Sequence, residues 1–379
     1  MSFFKLIFKN ILRNKRRTLL TTSSLVVSLF LIITLATILT EFSRGSEEAS
    51  PLRLWTRHSV SLMFPLPVAH QQRIATVPGV KSVMPFTWFG GIYQDERNFF
   101  ANFAVDGAKL RENYPELEMS DAEWQAFKDD RQGAIVGRKL VQLYRFSPGQ
   151  RITLKSPIYN AGLEFIVRGV ITGGDEKTLY FHYDYMNESL PDWARDQVGT
   201  FTLVANSVED VPRIAQAIDS IFINTDAPTK TESEREFAMS FETMMGGVKQ
   251  FMYGIMGAIT FSLLLVMGNT MAMTVRERTR EVGTLKALGF QRTTIAGLFL
   301  AEALLVATIG ALIGIGGAML VFSSFDLSLY IPNFQSFVPT TQTLLLSFIV
   351  SILVGLISVG YSAYRVSGMT IIEALRSTE

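Results

Sequence analysis

Of 379 residues, 48% are hydrophobic and 18% charged, and the formal net charge is only +1. A balance that close to neutral excludes bulk electrostatic attraction to nucleic acid, and the lack of cysteine excludes disulfides and thiolate metal sites. The apolar residues gather in four blocks, each long enough for the ~20 residues that a bilayer crossing needs, so the chain is expected to be an α-helical membrane protein.

The first 17 residues carry Lys5, Lys9, Arg13, Lys15, Arg16 and Arg17 and no acid. They are expected to form a cytoplasmic amphipathic helix leading into the first span, residues 18–40. That block is longer than a signal h-region and no small-x-small cleavage site follows it, so it reads as a retained span.

Residues 41–247 differ in texture and are long enough to bury a core of their own and to divide into two lobes. VPGVKSVMPFTWFGGIY reads as a helix end, a Pro-Gly turn and a strand. GQRITLKSP and LEFIVRGVITG alternate polar and apolar residues as neighbouring strands do. FTLVANSVEDVPRIAQAIDSIF reads strand, turn, helix, with Val211, Ile214, Ala215 and Ile218 at helical spacing. DAEWQAFKDDRQGAIVGRKLVQLY predicts a further helix, and the charged stretch 229–241 a helix leading into the second span. The expectation is a large mixed α+β domain outside the membrane.

The second span (251–273) is rich in methionine, whose flexible thioether suits surfaces that repack. Gly246 and Gly247 precede it as a hinge or a break. Residues 275–294 follow, with five basic side chains (Arg276, Arg278, Arg280, Lys286, Arg292) and two acidic ones (Glu277, Glu281). A segment so charged does not lie in hydrocarbon, so it is a loop able to grip a partner. The third span is 295–322, the short loop 323–343 has no Lys or Arg, the fourth span is 344–364 and the tail 365–379. The positive-inside rule then places both termini and the 275–294 loop in the cytoplasm and 41–247 outside.

Within the third span, Ala303, Ala307, Gly310, Gly314 and Gly317 step along one helix face, a small-residue stripe that lets another helix approach closely. Glu302 lies inside the same span. An intramembrane acid needs a partner or a wet cavity, and Lys286 and Arg292 are candidate partners; lying at headgroup depth is the alternative. No G-x-x-x-x-G-K-[ST], H-E-x-x-H or G-x-S-x-G motif occurs, VITGGDEKT has the composition of a surface turn, and His58, His70 and His182 are scattered. The chain is expected to have no catalytic residues, no bound cofactor or metal and no enzymatic activity of its own.

RERTREVGTLKALGFQRTTIAGLFLAEALLVATIGALIGIGGA and the closing AYRVSGMTIIEALR resemble the coupling signature and tail of the MacB/FtsX-type (type VII, mechanotransmission) ABC transporter permeases. FKNILRNKRRTLLTTSSLVVS resembles that family's leading helix and first span. VPGVKSVMP and GAIVGRKLVQLYRFSPGQRITL resemble its two-lobed MacB-like periplasmic core. One departure is Ile371, where the family usually has proline. The resemblance implies a permease subunit served by two copies of a separate ABC ATPase that carries the ATP and Mg²⁺, and by a second permease copy or paralogue. A periplasmic adaptor is a further candidate partner. It implies ATPase coupling through Arg276, Glu277, Arg278, Glu281, Val282, Gly283, Leu285, Lys286, Leu288 and Gly289, with tail contacts from Glu373, Ala374, Leu375 and Arg376. Val282, Leu285 and Leu288 are expected to form an apolar knob with a charged rim. The implied function is movement of the outer domain driven by cytoplasmic ATP hydrolysis, exporting or extracting a hydrophobic or amphiphilic cargo such as a drug, peptide, lipid or lipoprotein. An FtsX-like signalling permease that switches on an outside cell-wall hydrolase is the alternative.

Overall fold

A computed structural model describes residues 13–47, 49–244, 246–324 and 337–376. The chain divides into two compact units, an α+β domain spanning residues 43–244 and a helical unit holding the rest of the described chain. The expected helix over 1–17 and the loop 323–343 fall largely outside the described residues.

The helical unit contains α1 (Lys15–Glu47), which begins within it, then α9 (Gly246–Glu277), α10 (Thr279–Ala287), α11 (Arg292–Ser324), α12 (Thr341–Gly368) and α13 (Ile371–Arg376). Four of these, α1, α9, α11 and α12, are long and apolar enough to cross a membrane. Each runs a few residues past the apolar block read from sequence, because capping turns are polar while still helical. Gly246 and Gly247 are the first two residues of α9, while Met245 lies outside the described residues.

The small-residue stripe on α11 serves two neighbours. A Cβ at Gly310 would sit 2.9 Å from Leu25 Cδ2, and one at Gly314 3.3 Å from Leu29 Cβ, so α1 lies directly on both glycines. Ala307 meets Gly355 of α12, and Ser351 Oγ donates to the Ala307 carbonyl at 3.1 Å. Ala303, also fully buried, faces the same helix through its carbonyl. Gly317 does not belong to this face: it is exposed, and a Cβ there would meet no other described residue within 4 Å, because the helical repeat has carried it round while Ala318 takes the buried position.

The α+β domain is built on one ten-stranded sheet, ordered β12-β1-β11-β3-β5-β9-β6-β8-β7-β4, so strand pairing runs unbroken through the region expected to form two lobes. Its strands are β1 (Arg53–His58), β3 (Val80–Trp88), β4 (Ile92–Tyr93), β5 (Ala101–Val105), β6 (Gly133–Gly137), β7 (Arg151–Ser156), β8 (Ala161–Ile171), β9 (Thr178–His182), β11 (Thr200–Ala205) and β12 (Thr229–Ser233); β2 (Leu66–Pro67) and β10 (Gln197–Val198) pair separately. Pairing is mostly antiparallel, with β5–β9 and β6–β8 parallel. In β7 and β8 the polar–apolar alternation matches burial of every second residue, as a half-buried pair requires. All of β11 is buried, since both its faces are covered.

Helices pack on this sheet: α2 (His70–Ala75), α3 (Leu110–Asn113), α4 (Asp121–Asp129), α5 (Arg138–Tyr144), α6 (Tyr183–Ser189), α7 (Val211–Phe222) and α8 (Glu234–Met244). One face buries Ile214, Ile218 and Phe222 of α7 with Phe89, Phe165 and Phe201; the other buries Trp124 and Phe127 of α4 with Met84 and Ile135. Residues 229–233 depart from the helix expected over 229–241. The β-branched threonines alternate inward and pair with β1, Thr231 meets the Thr56 hydroxyl at 3.0 Å, and Asp219 accepts from Thr231 N at 3.0 Å. Likewise 133–137, inside a stretch read as helix, is the central strand β6; a buried apolar run that short carries no helical or strand period of its own.

Candidate functional site

The charged loop between α9 and α11 folds into α10 and becomes the centre of an ion-pair network. Arg278, at the N-cap position of α10, is 5% exposed. Its Nη1 donates to both carboxylate oxygens of Glu302, at 2.7 and 2.8 Å, and its Nε donates to Glu281 at 2.6 Å. The guanidinium also lies 5.1 Å over the Phe299 ring. Glu302 therefore pairs with Arg278 and not with the expected Lys286 or Arg292. Arg278 follows the last turn of α9 and points toward the core, whereas Lys286 turns to donate to the Met369 carbonyl and Arg292 is exposed.

The network reaches the start of α1. Arg13 donates to the second oxygen of Glu281, and Arg17 donates to Glu277 at 2.7 Å. A small cavity of about 40 Å³ opens beside Glu302, lined by Arg17, Thr21, Thr270 and Thr274 among others, which is room for a water molecule. Glu302 thus has both a partner and a polar cavity, as an acid within an apolar helix requires. Burial pushes the Glu281 carboxyl up, but the hydrogen bonds from Arg13 and Arg278 outweigh it and hold the group below the usual glutamate range.

Around this network α10 presents two faces. Val282 and Gly283 are buried and Leu285 packs half-buried against the same core, so the expected Val282–Leu285–Leu288 knob is not what the surface offers. Three-residue spacing drifts off a 3.6-residue repeat, and the inward face takes Val282. The exposed apolar side chains are Leu288, 71% exposed, and Phe290, with Ile372 of α13 also exposed. Arg276, Glu277, Arg280 and Arg292 are exposed too. The turn that projects Leu288 is a Schellman motif: Phe290 N donates to Leu285 O at 3.1 Å and Gly289 N to Lys286 O at 3.0 Å. Gly289 has φ of 87°, a left-handed geometry that glycine adopts without strain.

The tail packs on α10. Lys286 Nζ donates to the Met369 carbonyl and Ala374 is fully buried. Glu373 accepts from Thr370 N at 2.7 Å, and Thr370 Oγ1 accepts from Glu373 N at 3.3 Å, a capping box that starts α13 at Ile371 without proline. The side chains of Leu375 and Arg376 lie outside the described residues. That Arg278 turns inward to Glu302, and that Arg13 and Arg17 bond Glu281 and Glu277, was not legible from sequence; the nearest signal was the run of basic residues before the first span.

Two family models match this chain. The MacB-like periplasmic core domain covers residues 18–221, over half of it, and the FtsX-like permease C-terminal covers residues 253–371. The chain belongs to the MacB/FtsX-type family of ABC transporter permeases. An uncharacterized ABC transporter permease of Methanocaldococcus jannaschii is 22% identical over 81% of this chain and 80% of its own length. The macrolide export ATP-binding/permease protein MacB of Bdellovibrio bacteriovorus is 27% identical over 48% of this chain, and the pyoverdine export ATP-binding/permease protein PvdT of Pseudomonas putida 44% identical over 20%. The matched stretches span only 29% and 12% of those two relatives. Among solved structures, the periplasmic region of MacB from Actinobacillus actinomycetemcomitans aligns with a TM-score of 0.38 at 12% identity, over 53% of this chain and 95% of that one. The protein is a multi-pass membrane permease, and its family implies a partnering ATPase.

Proposed function

We propose that this permease couples ATP hydrolysis on a separate ATPase to movement of its α+β domain, and so exports or extracts a hydrophobic or amphiphilic cargo. Two permeases, alike or paralogous, work with two ATPase subunits. Both termini and α10 face the cytoplasm, and residues 41–247 lie on the outer side of the cytoplasmic membrane. The export relatives MacB and PvdT support the transport reading.

The observation that carries the proposal is the wiring of α10. Its outer end offers Leu288 and Phe290 as an exposed apolar knob for an ATPase cleft, and Arg280 and Arg292 are exposed on the same segment. Its inner end is tied through Arg278 to Glu302 inside α11 and through Glu281 to Arg13 before α1. A push on the knob is thereby delivered to two membrane helices through charge-assisted hydrogen bonds, the stiffest polar links available. Leu288→Asp should reduce co-purification of the ATPase and permease-stimulated hydrolysis on the order of tenfold or more, as loss of a central anchor does. Unchanged assembly and unchanged stimulation would show that the ATPase docks elsewhere.

A further inference from the structure

The α+β domain holds a solvent-open cavity of about 450 Å³, within the size range of small-molecule sites, that the coupling site does not account for. Trp55, Phe86, Phe103, Tyr114 and Tyr180 line it, brought together from β1, β3, β5, β9 and the residue that ends α3. The rings brace one another: Trp55 meets Phe86 edge-on at 4.9 Å, Phe86 meets Phe103 at 4.3 Å, and Phe237 stacks on Trp55 at 4.7 Å.

The polar lining is lopsided. Three acids, Glu116, Asp175 and Glu234, line it with a single guanidinium, Arg53, which leaves negative charge in excess among the lining residues. Arg53 is already committed: it donates to Glu116 at 2.7 Å, to Glu234 at 3.1 Å and to the Asn113 carbonyl at 2.9 Å, and lies 3.9 Å over the Tyr114 ring. Asp175 is held in a turn by Lys177 N and the Thr178 hydroxyl, both at 3.0 Å. Among the described residues the Tyr114 hydroxyl and Trp55 Nε1 have no hydrogen-bond partner, and both atoms are closed off from solvent, so what these two residues offer the cavity is ring surface. Among the described residues no group of His, Asp and Glu is arranged to hold a metal ion, so the surplus charge calls for a different cation.

We propose that this cavity binds a hydrophobic organic cation, a quaternary ammonium or bulky amine, whose charge lies among the aromatic faces near Glu116 and Asp175. Ring faces attract a desolvated cation through their quadrupole, and the carboxylates set the sign of the field. An anion would meet the surplus acids, and an uncharged guest would leave them uncompensated. The site stands independently of the export reading, since it needs neither ATP nor a partner.

Titration calorimetry on the full chain in detergent tests it with choline, with its uncharged isostere 3,3-dimethylbutan-1-ol, and with benzyltrimethylammonium. Choline should bind at least about tenfold more tightly than the isostere, and benzyltrimethylammonium more tightly than choline because it adds an aromatic ring to bury. Glu116→Gln, at a partly exposed position, should weaken benzyltrimethylammonium binding by about tenfold in a protein that still unfolds cooperatively. Equal binding of choline and its isostere in the unaltered protein, or no saturable binding of either cation, would overturn the assignment whatever the variant does. Unchanged affinity in a folded Glu116→Gln protein would overturn the role given to that carboxylate and with it the site.

Discussion

Each unit of this permease buries one arginine in nearly the same way, and the two differ in what surrounds them. Arg53 in the α+β domain and Arg278 in the helical unit are 3% and 5% exposed, each is bonded to two glutamates, and each lies over an aromatic ring. Arg278 grips Glu302 with both carboxylate oxygens, and both side chains of that pair are at most 7% exposed. Its second partner, Glu281, is 41% exposed, as is Glu116 beside Arg53; the better buried of Arg53's two partners, Glu234, is still 18% exposed, and Arg53 fronts a wide cavity. A sealed pair fixes helices against one another. Paired carboxylates that line a cavity can instead act on a visitor within it.

The largest effect should follow from breaking the sealed pair. Arg278→Met leaves Glu302 buried without its counter-charge, which is expected to cost about 3–5 kcal/mol. Arg53→Met leaves carboxylates that water can still reach, so the loss there should be smaller, about 2 kcal/mol, the order of a charged hydrogen bond. Replacing both Arg278 and Glu302 by apolar residues of similar volume should recover much of the stability while the ATPase no longer drives the permease. Thermal unfolding in detergent, read beside ATPase stimulation, separates the two outcomes. If Arg53→Met proves as damaging as Arg278→Met, the contrast between sealed and open sites is wrong.

How far the sequence foretold these sites follows from sequence distance. Glu302 was legible as an acid that must have a partner, because an apolar block surrounds it, and Arg278 lies 24 residues away in the charged segment just before that span. The partner expected was still the wrong one, since which of five basic residues turns inward depends on where α9 ends. Arg53, Glu116 and Glu234 gave no signal, because the sheet brings them together from β1, a turn after α3 and the start of α8. Four spans, the alternating pair β7–β8 and amphipathic α7 were readable because each carries its own period. The strands β6 and β12 were not, being short runs whose form is decided by their neighbours in the sheet.

The contrast sharpens with pH, because the two sites shift glutamates in opposite directions. In Glu281 the bonds from Arg13 and Arg278 outweigh burial, so its carboxyl titrates below the usual range. Its contribution is present above the unfolded-state value and is lost as pH falls through the lowered one. In Glu116 burial outweighs the attraction of Arg53, so its carboxyl titrates above the usual range. The folded state then favours the protonated acid, and that contribution is lost as pH rises through the raised value. Melting curves between about pH 3 and about pH 7 should therefore change in opposite senses: Glu281→Gln removes a loss on acidification, and Glu116→Gln removes a loss on the alkaline side. Changes of the same sign would mean that one of the two networks is misassigned.

The smallest effects lie where the two units use the same device. Ser120 and Glu123 cap α4 in the α+β domain as Thr370 and Glu373 cap α13 in the helical unit, each pair closing both reciprocal hydrogen bonds. Ser120→Ala and Thr370→Ala should each cost about 1 kcal/mol, since an exposed cap is worth much the same wherever it sits. On the proposed coupling role of α10, Thr370→Ala should also lower ATPase stimulation, because α13 packs on α10 and Lys286 bonds the carbonyl just before the cap. Ile371→Pro restores the residue usual in the family. Proline at the first helical position loses only an N–H that has no intrahelical partner, and its fixed φ suits the turn. The substitution should be neutral or stabilising by about 0.5 kcal/mol, with ATPase stimulation unchanged. A marked loss of stability would mean that the Ile371 side chain or N–H is engaged, and that the capping box does not stand in for the proline.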